Sequence, residues 1–188
     1  STNDDVLICD PEGEYDPIIK EFGGEVIEIS VGSKDHINPM DMEEGYGDSG
    51  NPVGDKSQFI MSLFEQLDRE NKSITPIERS LIDRCVSIVY AEYRKTKIMP
   101  TLKTLRNILL KQPESEARTL ALRLEYIAEG TSDIFAHETN VDVSNRIISY
   151  NIFNLGTQLK TIGLLIITDA MLNRVISNWK KGKRTHVF

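Results

Sequence analysis

Val6-Leu7-Ile8-Cys9-Asp10-Pro11-Glu12-Gly13-Glu14-Tyr15 is the stretch on which the fold turns. Four apolar residues end abruptly in an acidic turn punctuated by Pro11 and Gly13. A short apolar run closed by turn residues reads as a buried strand. Working outward, Tyr15–Phe22 is expected to be a short helix. Pro17 lies in its first turn, where a missing N–H costs little, and Gly23-Gly24 ends it. Glu25–Ile29 is then a second strand, and Ile37-Asn38-Pro39 a turn. Strand, helix and strand in this order make a βαβ unit, which favours parallel pairing. In open α/β sheets chemistry gathers past the carboxyl ends of the strands. Asp10, Glu12 and Glu14 are therefore the candidate site residues. The alternative is an acidic helix start stabilised by the macrodipole.

The remaining chain divides by pattern. Met40–Pro52 is rich in Gly, Asp, Glu and Asn and reads as an exposed, mobile loop. The pattern from Asp55 to Glu129 is helical. Ser57–Glu70 puts Phe59, Ile60, Leu63, Phe64 and Leu67 on one face. Thr75-Pro76-Ile77-Glu78 is a helix start with a capping box. That helix carries Ile77, Leu81, Cys85, Ile88 and Glu92 in one row, with Ile82, Val86, Val89 and Tyr93 beside it. Thr101–Lys111 and Glu114–Glu129 are further helices. Arg146–Phe153 reads as a buried strand. Gly156–Lys181 is a long helix, apolar nearly all round in its first half, and so expected to be sandwiched against a sheet. Thr185–Phe188 begins a last strand. The expected organisation is an α/β core over 1–53 and 131–188, interrupted by an all-helical insertion over 54–130.

Composition narrows the class. The chain has 188 residues, 39% hydrophobic and 27% charged, with a net charge of −7, which suits one sizeable globular core. Its apolar run Leu164-Leu165-Ile166-Ile167 is far short of the ~20 residues that span a bilayer. No signal peptide is expected from the polar, acidic Ser1–Asp5. Cys9 and Cys85 both sit in apolar patterns and read as buried free thiols. Charge is uneven. Residues 1–53 hold 2 Lys or Arg against 14 Asp or Glu, a net −12. The acidic first third disfavours contact with a phosphate backbone there. The basic cluster Lys180-Lys181-Gly182-Lys183-Arg184 reads first as a solvated loop, with nucleic-acid contact the second reading.

Other motifs fail on chemistry. Gly50-Asn51-Pro52-Val53-Gly54-Asp55-Lys56-Ser57 approximates a phosphate-binding loop. However, Asp55 would face the phosphates, Pro52 removes an N–H, and no strand precedes it. His36, His137 and His186 show no metal-ligand spacing, and no nucleophile elbow is present.

The ordered set of motifs resembles a family. Asp10-Pro11-Glu12-Gly13-Glu14-Tyr15, Gly23-Gly24-Glu25-Val26-Ile27, Ile37-Asn38-Pro39, Thr139-Asn140-Val141-Asp142 and Lys183–Phe188 are similar to segments of conjugative-transfer ATPases of type IV secretion systems. These are TraC/TraE-like proteins, here of the conjugative-transposon type. The resemblance implies a partial RecA-like P-loop ATPase sheet with a helical insertion, related to the HerA/FtsK motors. In that family Walker A would precede Ser1 and Walker B would follow Phe188, so the stretch is expected to lie between them. It further implies ATP and Mg²⁺ as cofactors of the intact protein, with Glu14 or Glu12 positioning water or standing near the Mg²⁺, beside Asp10. A hexamer, other secretion components, DNA as a possible partner, and a cytoplasmic location against the inner face of the membrane are implied too. The stretch alone is expected to be inactive, and its unpaired sheet edge to favour dimers or element swapping. Two alternatives stand beside this reading. One is a protein–protein interaction module of a secretion complex. The other is an unrelated metal-dependent α/β hydrolase using Asp10, Glu12 and Glu14.

Overall fold

The computed structural model describes residues 3–68, 70 and 73–188. The chain forms two compact units, Ser1–Ile37 with Thr139–Phe188, and Asn38–Glu138. The sequence pattern predicts boundaries at 53/54 and 130/131. The division at 37/38 and 138/139 arises because Met40–Pro52 and the turn after residue 130 pack with the helices.

In the first unit β1 (Asp5–Asp10), β2 (Glu25–Glu28), β3 (Ile147–Asn151) and β4 (Thr185–Val187) make one sheet in the order β2-β3-β1-β4. Every pair is parallel, with Leu7 opposite Ile148 and Val187, and Ile27 opposite Tyr150. The βαβ unit is present, with α1 (Asp16–Glu21) as its crossover. Its two strands are not neighbours, however, because β3, from far along the chain, is inserted between them. Gly24 permits this close approach: a Cβ there would lie 2.8 Å from Ile147 Cγ2 and from Ile19 Cγ2. β1 is flanked on both sides, and Leu7 and Ile8 are buried as a parallel strand requires.

The long helix α6 (Thr157–Lys180) buries Leu159, Ile162, Gly163, Ile166, Ile167 and Met171. It is not sandwiched as expected, since Leu164, Leu172 and Trp179 are exposed. Its last turns are tied to the sheet by a buried carboxylate. Asp5, 1% exposed, accepts from Arg174 Nε at 2.9 Å, Arg174 Nη2 at 2.7 Å and Asn178 Nδ2 at 2.7 Å. Lys183 Nζ stands 2.6 Å from its other oxygen. Arg174 also donates to the carbonyls of Val143, Ser144 and Asn145. One side chain of α6 therefore fastens the segment entering β3, and Asp5 fastens β1 to the segment entering β4.

The second unit holds α2 (Pro52–Leu67), α3 (Pro76–Thr96), α4 (Leu102–Leu110) and α5 (Ser115–Ala128). α2 starts five residues before Ser57, because Asn51 caps it by accepting from Gly54 N–H and Pro52 fits the first position. It ends at Leu67, and Arg69, inside the expected span, lies outside the described residues. Thr75 caps α3 as expected, accepting from Glu78 N–H at 3.2 Å. The Glu78 carboxylate pairs with Arg123 on α5. The buried face of α3 is Leu81, Ile82, Cys85, Val86, Val89 and Tyr90. It is rotated away from the expected row, leaving Ile77 and Glu92 exposed. Burial pushes the Cys85 thiol up to about 11, Arg84 opposing, and burial with nearby Asp10 does the same to Cys9. Both cysteines are free.

Residues 40–51 are irregular, but the expected exposed loop is not exposed throughout: Met40 and Tyr46 are buried. Asn38 Nδ2 donates to Pro100 O at 2.9 Å, and its Oδ1 accepts from Met40 N–H at 3.0 Å. Lys56, 1% exposed, donates to Pro39 O at 2.9 Å, with its ammonium 4.0 Å from the Tyr46 ring centre. Tyr90 Oη donates to Met40 O at 2.7 Å.

Burial raises the Asp5 pKa, but hydrogen bonds from Lys183, Asn178 and Arg174 outweigh it and hold the carboxyl below its ordinary value. A depressed carboxylate contributes stability above its unfolded pKa of ~3.9, lost as pH falls through the folded value. Asp5→Asn should therefore cost about 3–5 kcal/mol at pH 7, and its urea midpoint should fall less steeply than that of the parent below about pH 4. Asn38→Ala orphans two buried backbone groups and should cost roughly 2–4 kcal/mol by the same denaturation.

Candidate functional site

β1 delivers its chain to the carboxyl edge of the sheet at Asp10, which is 0% exposed. A buried carboxylate needs donors, and the turn supplies them from its own backbone. Asp10 Oδ1 accepts from Gly13 N–H at 2.7 Å and Glu12 N–H at 3.2 Å, and Oδ2 accepts from Tyr15 N–H at 2.9 Å. Both oxygens are thus engaged in folding the turn. Asp10 is the turn's organiser, and the reactive candidates are the two glutamates it holds, Glu12 and Glu14, both exposed.

The sequence pattern missed the second half of this turn. Asn151 ends β3 opposite Asp10 and is 7% exposed. Its Nδ2 donates to Asp16 Oδ2 at 2.8 Å and its Oδ1 accepts from Phe153 N–H at 3.0 Å. Asp16 Oδ1 is shielded from solvent with no hydrogen-bond partner among the described residues. Gly13, at φ +71°, passes so close that a Cβ would stand 3.3 Å from Phe153 Cβ and 3.5 Å from Asn151 Nδ2. Ile152 N–H donates to Asp10 O at 3.0 Å. β1 and β3 therefore share one acidic rim. The one sequence signal was an asparagine closing an apolar strand, which is too common to single out.

The three carboxylates do not gather into a metal centre: among the described residues no three His, Cys, Asp or Glu side chains could hold an ion. The histidines are dispersed, with His137 3.2 Å from Asp133 and His186 3.1 Å from Asp4. The Gly50–Ser57 segment is no phosphate loop either. Asn51 caps a helix, and the ammonium of Lys56 is buried against Pro39 O. The two exposed glutamates, Glu12 and Glu14, are what this rim can present to a water or a cation's shell. Among them no helix is long and apolar enough to cross a membrane.

No family model and no curated protein matches the chain. Among solved structures, VirB4 of Thermoanaerobacter pseudethanolicus is similar in fold, with a TM-score of 0.79 at 20% identity, covering 97% of this chain and 73% of that one. The likeness establishes the fold class as a RecA-like α/β sheet joined to a helical unit. It agrees with the group that the sequence motifs resemble.

Asp10→Ala removes the acceptor of three turn N–H groups. It should lower stability by about 3 kcal/mol, from hydrogen bonds to a charged group at ~1.5–3 kcal/mol each with partial replacement by water. Glu12→Gln and Glu14→Gln should each stay within about 0.5 kcal/mol of the parent. Urea denaturation of the three variants measures both.

Proposed function

We propose that this chain is the middle of the nucleotide-hydrolysing domain of a type IV secretion ATPase, a RecA-like motor. The carrying observation is the fold shared with VirB4 along 97% of the chain, with the acidic rim at the carboxyl edge where such sheets bind ligands. Motors of this kind hydrolyse ATP by positioning and charge stabilisation. In that reading Asp10 sets the turn, and Glu14 or Glu12 orients the attacking water or stands in the outer shell of Mg²⁺. Phosphate grip and metal ligation come from Walker motifs on either side of this stretch. The working form is a homo-hexamer at the cytoplasmic face of the membrane, among other secretion components. Its output is conjugative DNA transfer or assembly of the apparatus.

The isolated chain should show no ATP turnover above background, since nothing described in it cradles phosphates. In the protein carrying both Walker motifs, Glu14→Gln should lower kcat by roughly 10²-fold or more with KM little changed. Turnover by the isolated chain that persists through further purification and disappears in Glu14→Gln would overturn the proposal.

A further inference from the structure

We propose that the turn closing α6, Trp179–Arg184, is a platform for single-stranded nucleic acid, with a base stacked on Trp179 and the flanking phosphates held by Lys181 and Arg184. Trp179 is 77% exposed, an unusual position for the largest apolar side chain. The backbone beneath it is fixed. Lys181 N–H donates to Asn178 O at 2.9 Å, Gly182 N–H to Trp179 O at 2.9 Å, and Lys183 N–H to Asn178 O at 2.8 Å. Lys183 is committed to Asp5. Lys181 and Arg184 are exposed, and no carboxylate pairs with either among the described residues. Next to them lies a shallow cleft of about 430 Å³, lined by Asn3, Asp4, Lys181, Gly182, Lys183 and Arg184. The carboxylate of Asp4 in that cleft stands 3.1 Å from His186 Nε2.

Basic residues at a helix C-terminus are favoured by the helix dipole, but the dipole gives no reason for a bare indole among them. Single strands are bound by this combination of a cationic cleft and a stacking ring. A lipid surface would require a broad apolar face. On α6 the nearest other large exposed apolar side chain toward its start is Leu172, about 10 Å along the axis. Position supports the assignment. The turn leads into β4 at the amino edge of the sheet, while Glu12 and Glu14, which would repel phosphates, stand at the carboxyl edge. Binding here requires no nucleotide and does not depend on the ATPase reading.

Trp179 is the chain's one tryptophan, so its fluorescence reports on this turn alone. Oligothymidylate of roughly 15 nucleotides, enough for a site of about 4–16, should quench it saturably at low salt. With a labelled oligonucleotide followed by anisotropy, Trp179→Ala should weaken binding roughly 5- to 100-fold, with an unchanged circular-dichroism melt. Lys181→Glu with Arg184→Glu should weaken binding and flatten its logarithmic salt dependence by about 0.7 per lost phosphate contact. Absence of quenching at low salt, undiminished affinity in either variant, or equal affinity for a blunt duplex would each overturn the proposal. So would quenching by phosphatidylglycerol vesicles but not by the oligonucleotide, which would make the turn a membrane contact.

Discussion

The carboxyl edge of the sheet depends on one buried charge. Asp10 has no solvent to stabilise it, so three backbone N–H groups of the following turn converge on its two oxygens. A carboxylate in a dry setting imposes this geometry, because leaving it without donors costs more than ordering the turn. The consequence reaches beyond the turn itself. Closing the chain over Asp10 brings Gly13 against Asn151 and Phe153, sets the start of α1, and leaves Glu12 and Glu14 exposed. The residue that looks most catalytic by position is the one whose chemistry is already committed.

The same logic recurs at the other end of β1 and in the helical unit. Asp5 is paired with Arg174 and Lys183, and thereby joins β1 to α6 and to the segment entering β4. Lys56 is enclosed with Pro39 O and the Tyr46 ring, and Asn38 with Pro100 O and Met40 N–H. In each case a polar group far inside the fold holds segments distant in sequence. Such groups add little stability over apolar packing but penalise wrong arrangements, since a misplaced partner leaves a buried charge or amide unsatisfied. The Asn38-Pro39-Met40 turn, ordinary as a string, is where buried hydrogen bonds from Lys56 on α2 and Tyr90 on α3 converge and a third reaches Pro100 O.

Charge separates along the strands of the first unit. Glu12, Glu14 and Asp16 gather at the carboxyl edge, while Lys181, Lys183 and Arg184 lie at the amino edge, where Asp5 is already neutralised. A net charge of −7 hides this polarity. One unit can thus present an acidic rim suited to water or cation chemistry and, at its far edge, a basic turn suited to a polyanion.

Local chemistry along the chain specifies the kinds of element and most of their starts. Caps and breakers act locally, so Thr75, Pro76 and Gly23-Gly24 could be read directly, as could most of the apolar face of α2. The ordered motifs also led to the same fold that the structural likeness to VirB4 supports. Tertiary structure decided what depends on partners remote in the chain. The insertion of β3 between β1 and β2 is one case, since local pattern carries no information on which strand pairs with which. The rotated face of α3, the anchoring of Met40 and Tyr46, and the open outer face of α6 are others, because burial depends on what packs against a helix and not on its own periodicity. For the site, sequence supplied the three acids, and only the folded chain divided them into one buried organiser and two exposed glutamates. That division rests on solvation: identical carboxylates differ in chemistry once one of them is taken out of water.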